Sequence, residues 1–379
     1  MKIVYCMASV YNPGGMERVL LNKVRYLSEL GGYELAIVTT DQGGRPPFYA
    51  FPSGVKMVDL DINYTADLGK HPLERILAYM RRRRLHKKRL TELLMAEKSD
   101  IVVSLYPSES SFIPSIRDGS KKVLELHFNK FFRLQYGRGG LLGLIDRFRT
   151  WQDKRIVRRF DRFVVLTHED ASYWGALPNL QVIPNAALTI PEAGWSTASR
   201  RVIAVGRLDY QKGFDRLVDA WALLPEDLRE TWHLDIFGQG EWEVMLRERI
   251  RKKGVEGSAR LNAPTKEIFK EYAASAFLVM SSHYEGFPMV LIEAMACGLP
   301  GICFTFPCGP RDIIEDGTNG LLVPEGDIPA LAQAIEKLMR GHALREQMSS
   351  CAKEVTQTYS EEKVMQQWTA CFNSLVSQA

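Results

Sequence analysis

Two carboxylates in the C-terminal half have the strongest potential for chemistry. Glu285 and Glu293 are separated by seven residues, the first in a predicted loop and the second in an apolar predicted helix. The turn at 286–289 between them exposes backbone N–H groups, which suit phosphate or sugar oxygens. A carboxylate on an apolar helix face needs a partner, and a ribose diol would supply one. The apolar neighbours argue against the alternative, a solvated carboxylate on the helix surface.

Two cations stand five residues apart between a predicted strand at 201–205 and a predicted helix beginning at Phe214. Arg207 offers a planar fork for phosphate oxygens, and Lys212 offers a point charge that can reach the same group. Isolated cations on a loop are usually solvated. Here they flank a helix N-terminus at the carboxyl end of a strand, where negative charge is favoured. The segment therefore predicts a diphosphate site.

A pair of glycines, Gly14 and Gly15, precedes a helix predicted over 17–29. Glycines at this position let the backbone turn sharply and approach a ligand, with free helix N–H groups facing it. A plain turn between a strand and a helix would have the same sequence, so both interpretations stay open.

The elements that must position these residues alternate along the chain. Apolar, β-rich runs are separated by longer helical stretches, a pattern typical of parallel sheets covered on both faces. The predicted strands are Lys2–Met7, Leu35–Thr39, Val55–Leu60, Ile101–Leu105, Val123–Leu126, Phe163–Leu166, Arg201–Val205, His233–Phe237, Phe277–Ser281 and Pro300–Phe304. Further helices are predicted at Phe214–Leu224, Val290–Cys297 and Ala330–Arg340.

The alternation is interrupted once, by a stretch rich in Pro, Ala, Ser and Thr. We predict an α/β protein with a first Rossmann-like doubly wound domain at 1–187, a linker at 188–200, a second such domain at 201–360 and a C-terminal helix at 361–379. Ligands of such sheets bind at the carboxyl ends of the strands, so we expect the domains to face each other across a cleft. The apolar stripe of the last helix would pack back on the first domain or form a dimer contact. The stripe consists of Val364, Trp368, Phe372 and Leu375.

Taken together, the glycine pair, the Gly206-Arg207-Leu208 segment with Gly213, and the spacing of Glu285 and Glu293 resemble the retaining family 4 glycosyltransferases of the GT-B fold. The likeness extends from Gly14 to 319–323, over essentially the whole chain. It implies two Rossmann-like domains, with the nucleotide-sugar donor held mainly by the second.

The resemblance also implies roles for individual residues. Catalytic roles fall to His127, Glu285, Arg207 and Lys212. The donor would be bound by Gly14, Gly15, Arg207, Lys212, Gly286, Phe287, Pro288, Met289, Val290 and Glu293, with Glu293 on the ribose. Asn185, Glu17 and Arg18 would lie on the acceptor side.

Two segments depart from the family pattern. Many relatives carry glycine where this chain has Pro288, which lacks an N–H group. The later loop, Cys308-Gly309-Pro310-Arg311-Asp312, replaces a commoner Gly-Gly-x-Pro-Glu pattern, and Asp312 is one carbon shorter than glutamate. Both departures bear on which sugar is transferred.

We expect no cofactor and no metal, because Arg207 and Lys212 can meet the charge of a departing diphosphate. Asp59 and Asp61 do spell an Asp-x-Asp motif, but in an alternating strand this is more often a pair of solvent-facing carboxylates. The expected reaction is front-face attack by an acceptor hydroxyl with retention of configuration, moving a hexose or an N-acetylhexosamine. The resemblance favours a UDP-sugar over GDP- or ADP-sugars.

The charge is uneven. Residues 1–190 carry 29 Lys and Arg against 19 Asp and Glu, whereas 191–379 carry 20 against 26. The excess comes from 81–89, with seven cations in nine residues, and from 130–162, where ten cations and three acids are interleaved with aromatic residues. Such segments can lie on an anionic membrane. A solvated helix face is the alternative, and nucleic acid is disfavoured because no DNA- or RNA-binding motif is present.

The remaining features favour a cytoplasmic protein, peripheral on the cytoplasmic membrane face if the basic segments bind it. No apolar run is long enough to span a bilayer, and the six cysteines include no Cys-x-x-Cys pair. The expected partners are a nucleotide-sugar donor and a saccharide or lipid-linked saccharide acceptor, as in polysaccharide or glycolipid biosynthesis. A nucleotide-sugar epimerase or hydrolase of the same fold is the main alternative. An oxidoreductase is weaker, because Gly238-Gln239-Gly240 is only half of a dinucleotide-binding motif.

Overall fold

The computed structural model describes residues 1–67, 71–105, 108–134, 140–187 and 198–377. The chain forms two compact units. The first comprises Met1–Leu166, Ala171–Ile183 and Met365–Ala379, and the second comprises Thr167–Asp170 and Pro184–Val364. Of the predicted linker at 188–200, only the last three residues are described.

The first unit is built on a parallel sheet, seven-stranded over the described residues, in the order β3-β2-β1-β4-β5-β6-β7. The strands are β1 (Lys2–Met7), β2 (Glu34–Thr39), β3 (Lys56–Asp59), β4 (Ile101–Ser104), β5 (Lys121–Glu125), β6 (Arg162–Val165) and β7 (Leu180–Val182). The central strands β1 and β4 are buried almost throughout, as parallel strands covered on both faces must be.

The helices of the first unit are α1 (Gly15–Leu30), α2 (Pro72–Glu97) and α3 (Gly140–Val157), with α4 (His168–Trp174) divided between the two units. The apolar stripe predicted for the C-terminal helix is buried, with Val364, Trp368, Phe372 and Leu375 at most 4% exposed. Trp368 packs within the first unit, where the ammonium group of Lys23 lies 3.9 Å from its ring centroid.

The second unit repeats the architecture. Its described residues form a six-stranded parallel sheet in the order β10-β9-β8-β11-β12-β13. The strands are β8 (Arg201–Val205), β9 (His233–Phe237), β10 (Ala259–Asn262), β11 (Phe277–Met280), β12 (Gly301–Phe304) and β13 (Gly320–Val323). The helices are α5 (Phe214–Ala222), α6 (Glu226–Thr231), α7 (Glu243–Lys252), α8 (Ile268–Ala273), α9 (Met289–Ala296), α10 (Pro310–Ile313), α11 (Ile328–Arg340), α12 (His342–Ala352) and α13 (Val355–Tyr359). Helix α14 (Glu361–Val376) begins in the second unit and belongs to the first unit from Met365 onward.

Both sheets have the doubly wound order in which the first strand of the unit lies in the middle. The predicted α/β class with two Rossmann-like sheets is therefore confirmed. In the second unit β8 and β11 are adjacent and parallel, so the loops that follow them leave the same edge of the sheet. These are the loops that carry Arg207, Lys212 and Glu285.

Asp59 and Asp61 are both exposed, as predicted, but they do not lie in one alternating strand. Asp59 ends β3, and its carboxylate accepts a hydrogen bond from the Gly43 N–H group at 2.9 Å. Asp61 lies beyond the strand with φ of 49°. The first carboxylate thus holds a neighbouring loop and the second sits in a left-handed turn, so the two are not alternating positions of one strand. Among the described residues, none of the helices is both long and apolar enough to cross a membrane.

Candidate active site

Glu285 is the best-anchored acidic group of the predicted site. It is 6% exposed, in the loop after β11. The Lys212 ammonium group donates to one carboxylate oxygen at 2.6 Å, and the Ser282 hydroxyl donates to the same oxygen at 2.8 Å. The Gln211 side-chain amide donates to the second oxygen at 3.2 Å. The Lys212 side chain is only 14% exposed, so the pair is largely shielded from water.

Gln211 joins this pair to Arg207. The side-chain oxygen of Gln211 accepts a hydrogen bond from the Arg207 guanidinium at 2.8 Å. Its side-chain amide nitrogen also donates to the Tyr284 backbone carbonyl at 3.1 Å. The Arg207 side chain is 71% exposed and has Asp209 as its acidic neighbour at 3.3 Å. The structure therefore brings Arg207, Lys212 and Glu285 together, as predicted, through a residue that the sequence analysis missed.

A stacked aromatic pair, exposed Tyr210 and half-buried His283, borders this cluster. The rings of Tyr210 and His283 stack with centroids 4.2 Å apart and planes inclined by 12°, and the edge of Trp242 meets Tyr210. Burial and the nearby Arg216 charge lower the pKa of His283. His283 is therefore neutral at pH 7, and the stack presents an uncharged planar surface beside the cations.

The turn that follows Glu285 is tight. The Met289 N–H group donates to the Phe287 carbonyl at 2.9 Å, so this one of the predicted free N–H groups is already bonded within the turn. Pro288 precedes α9, and Phe287 is buried with its ring against that of Tyr359. Gly286, Met289 and Val290 are half-buried.

The two segments that depart from the family pattern contact each other. Gly309 has φ of 119°, and a Cβ atom there would lie 2.3 Å from Pro288 Cδ. Beside it the Asp312 carboxylate accepts from the His168 N–H group at 2.6 Å, and Glu169 accepts from the Cys308 N–H group at 3.1 Å. Asp312 therefore caps the start of α4.

Glu293 lies apart from this network in a different environment. It is half-buried on α9, and its neighbours include the phenol of Tyr272 and the thiol of Cys297. Burial and the Glu293 charge raise the pKa of Tyr272 well above its ordinary value, and they raise the pKa of Cys297 to about 12. Both groups stay protonated beside the carboxylate, and the predicted contact of Glu293 with a ribose diol stays a prediction.

In the first unit, Gly14 is the N-cap residue of α1 with an ordinary φ of −83°. A Cβ atom at Gly14 would lie 2.2 Å from the Glu17 carboxylate, whereas a Cβ at Gly15 would meet nothing within 4 Å. The backbone of Gly14 is extended, so the sharp turn predicted for this glycine is not present, and a side chain at this position would displace the Glu17 carboxylate. Arg18 instead places its guanidinium 5.3 Å from the Tyr49 ring centroid.

Glu17 and His127 belong to one buried group of charges in the first unit. Burial raises the pKa of Glu17, while Asn12 and His127 oppose that shift. His127, after β5, has its Nε2 atom 3.2 Å from the carboxylate of Glu125. Glu125 is fully buried and pairs with Lys23 of α1.

Asn185 belongs to the second unit, although the sequence analysis included it in the first domain. It is 5% exposed, and its side-chain oxygen has no hydrogen-bond partner within the described part of the chain. Also within that part, no three His, Cys, Asp or Glu side chains are grouped so that they could hold a metal ion. The absence of a metal requirement stays a prediction.

Two family profiles match the chain. The profile described as Glycosyltransferase Family 4 matches residues 13–187, and the profile described as Glycosyl transferases group 1 matches 189–355. The matches adjoin and together span nearly the whole chain. The protein therefore belongs to the family 4 glycosyltransferases, the class that the fold and the sequence motifs both indicate.

Individual relatives differ in their sequence identity to this chain and in the share of each chain that is aligned. The amylovoran biosynthesis glycosyltransferase AmsD of Erwinia amylovora is 34% identical over 223 residues, which are 56% of this chain and 62% of AmsD. An exopolysaccharide phosphotransferase of Streptomyces coelicolor is 35% identical over 57% of this chain but only 24% of its own length. An uncharacterized glycosyltransferase of Haemophilus influenzae is 27% identical over 97% of this chain and 98% of its own.

Solved structures confirm the GT-B fold. Sucrose-phosphate synthase of Thermosynechococcus elongatus superposes with a TM-score of 0.82 at 18% identity, covering 100% of both chains. HepE of Anabaena, crystallised with UDP, superposes with a TM-score of 0.75 at 18% identity, covering 99% of this chain and 100% of HepE. At these identities the likeness concerns the fold alone.

Proposed function

We propose that the protein is a retaining glycosyltransferase that moves a sugar from a UDP-sugar to a hydroxyl of a saccharide or lipid-linked saccharide. The product would be a cell-surface polysaccharide or glycolipid. The observation that carries the proposal is the shielded pair of Lys212 and Glu285 beside the exposed guanidinium of Arg207. It lies at the carboxyl ends of two adjacent parallel strands, where doubly wound sheets bind ligands.

In this proposal the donor diphosphate meets Arg207 and Lys212. Arg207 is exposed and can approach a phosphate without breaking a buried contact. Glu285 neutralises the charge of Lys212, so the ammonium group of Lys212 must direct some of its N–H groups toward the diphosphate. Glu285 then keeps its bonds from Ser282 and Gln211, which hold the carboxylate toward the sugar hydroxyls. UDP as the nucleotide is supported by the complex of HepE with UDP.

The proposed step needs no covalent intermediate. The bond between the anomeric carbon and the diphosphate oxygen breaks, and the acceptor oxygen forms a bond on the same face of the sugar. The acceptor proton passes to the departing phosphate oxygen. Arg207 and Lys212 stabilise the charge that develops on the leaving group, which is the largest contribution that a site of this kind can make.

The acceptor side of the proposal concerns the first unit. His127 and Glu17 would face the transferred sugar and its acceptor. Helix α3 carries four large apolar side chains that are 41–61% exposed, and cations are interleaved with them. These side chains are Leu144, Ile145, Phe148 and Trp151. An exposed apolar face with cations fits an anionic membrane that presents a lipid-linked acceptor.

The test is UDP titration by calorimetry in the presence of EDTA. We expect UDP to bind wild-type protein without metal, and Lys212→Ala to weaken binding at least about tenfold, or about 1.4 kcal/mol. Lys252→Ala is the matched control, because Lys252 is 71% exposed on α7 and pairs with Glu248 at 3.9 Å. Equal binding by both variants, or no binding of UDP by wild type, would contradict the donor assignment.

Product analysis then separates transfer from the alternative chemistry. With an α-linked UDP-sugar we expect an α-linked product that forms only when an acceptor is present. A β-linked product would exclude retention. Consumption of the donor at the same rate without any acceptor would instead favour the epimerase or hydrolase alternative.

A further inference from the structure

A pocket lined by cations lies in the first unit, between α2 and the segment at 111–115. Its volume is about 350 Å³, near the lower end of the range for small-molecule sites. Its lining residues are Met80, Arg83, Arg84, Lys87, Ser111, Phe112 and Ser115. Three of these seven are cations and none is an acid.

The cations converge because of helical spacing. Residues 80, 83, 84 and 87 follow the i, i+3, i+4, i+7 pattern that places side chains on one face of a helix. Arg82 and Arg89, on the same helix, turn away and donate to the Ile62 and Leu60 backbone carbonyls. The seven cations of 81–89 are therefore not equivalent: two hold a loop, and three line the pocket.

None of the pocket cations has an acidic partner among the described residues. The Arg83 guanidinium donates to the Ser111 hydroxyl at 2.9 Å, and Arg159 donates to the Ser111 carbonyl at 3.3 Å. Across the described ranges, neither Arg84 nor Lys87 forms an ion pair. Like charges brought together without an anion repel one another, so an anion in the pocket would relieve that repulsion.

The polar side chains that line the pocket can all donate hydrogen bonds to an anion. Because the Ser111 hydroxyl oxygen accepts from Arg83, its own proton can be donated to a ligand. The pocket also has an apolar lining, formed by Met80 and by Phe112, whose ring packs edge-on against buried His86. Guanidinium forks, an ammonium group and a hydroxyl donor beside an apolar wall suit a phosphate group with an organic substituent.

We propose that this pocket is a binding site for a phosphate or diphosphate ester, held by Arg83, Arg84, Lys87 and Ser111. The shared chemistry is the phosphate group, carried by a soluble compound or by a lipid head group. The inference does not depend on the donor site or on any step of sugar transfer.

The test uses two double variants of α2 that remove equal charge. Arg84→Gln with Lys87→Gln removes two pocket cations that make no ion pair. Arg81→Gln with Lys88→Gln removes two cations that do not line the pocket. Exposed helix positions tolerate such changes, and matching circular dichroism and thermal unfolding would verify that both variants fold.

Two probes identify the source of the phosphate. The first is inorganic pyrophosphate, titrated by calorimetry in the presence of saturating UDP so that the donor site is occupied. The second is flotation with phosphatidylcholine vesicles that contain phosphatidic acid. We expect the pocket variant to lose at least about tenfold in affinity for one or both probes, and the control variant to lose less than about twofold.

Loss of pyrophosphate binding in the pocket variant supports a site for soluble phosphate compounds, and loss confined to the vesicles supports a lipid-borne phosphate. An equal loss in both variants would show nonspecific attraction of anions and would overturn the proposal. The proposal would also be overturned if wild type bound neither probe. Both of these results concern only the pocket on α2 and leave the UDP titration at Lys212 unchanged, so each proposal can be contradicted without the other.

Discussion

At the scale of residues, the candidate site is held by neutral side chains as much as by charged ones. Glu285 accepts from Lys212, but its orientation also depends on Ser282 and Gln211. The charged residues could be predicted because their spacing is tied to loops that follow strands. Gln211 and Ser282 could not, because the role of a neutral side chain depends on the rotamer and on a loop distant in sequence.

The buried pair of Lys23 and Glu125 gives a prediction about stability. Burial alone would raise the pKa of Glu125, but the Lys23 and His127 charges outweigh it and lower the pKa to about 2. We expect Glu125→Gln to cost about 3–5 kcal/mol in the free energy of unfolding, because Lys23 is left buried and unpaired. Urea unfolding at pH 7 measures this loss. Glu92→Gln is the control, because the exposed Glu92 lies 3.9 Å from Lys88, and its loss should be below about 1 kcal/mol.

The pH dependence of this contribution has a definite sign. Glu125 has a folded pKa of about 2 against an ordinary value of 4.5, so its stabilising effect is complete above 4.5. The effect is lost as the pH falls from about 4.5 to about 2. Wild type should therefore lose more stability than Glu125→Gln over that range. Parallel acid-unfolding curves for the two proteins would show that the pair does not stabilise the fold.

At the scale of elements, α2 shows why a charge run cannot be interpreted from its composition alone. The sequence indicated one basic segment at 81–89. In the structure, Arg82 and Arg89 lie on the face of α2 that contacts the loop at 60–62. Arg83, Arg84 and Lys87 lie on the face that lines the pocket. A helical period could be read from the sequence. The neighbours that give each face its role come from distant parts of the chain.

The loop at 308–312 gives a prediction about one backbone position. Gly309 has φ of 119°, and an added Cβ would meet the Pro288 ring at 2.3 Å. Gly309→Ala should therefore cost about 1–3 kcal/mol in the free energy of unfolding and should weaken UDP binding by shifting the turn before α9. Chemical denaturation and calorimetry measure the two effects.

Gly257→Ala is the control for that variant, because a Cβ at Gly257 meets nothing within 4 Å. It should leave both stability and UDP affinity within about 0.5 kcal/mol of wild type. If Gly309→Ala behaved like this control, the contact with Pro288 would have no part in shaping the site.

At the scale of the whole molecule, the excess of positive charge in residues 1–190 leads to a prediction about membranes. We expect wild type to sediment with phosphatidylglycerol vesicles at low salt and to be released as salt is raised. Phe148→Ala with Trp151→Ala should weaken sedimentation, because these side chains are 58% and 52% exposed on α3. The control is Leu223→Ala with Val244→Ala, exposed apolar residues of the second unit. Equal sedimentation of both variants would exclude α3 as the contact.

The strands could be predicted better than the helices, because buried parallel strands are continuous apolar runs, whereas helices such as α7 and α12 were not predicted. Lys2–Met7, Arg201–Val205 and His233–Phe237 have the predicted bounds. The sequence analysis missed β7, β10 and β13, each only three or four residues long. Short edge strands such as β7 and β10 carry little apolar pattern, and their existence depends on the neighbour to which they pair.

The contact that a side chain at 309 would make with Pro288 also limits how this part of the site can be redesigned. A proline after Glu285-Gly286-Phe287 and a side chain at 309 exclude each other, so a substitution at 309 requires a change at 288 as well. Directed evolution toward another sugar is subject to the same restriction. Libraries that vary the turn at 286–288 while ignoring 308–309 would sample mostly incompatible pairs, whereas libraries that vary both segments together would not.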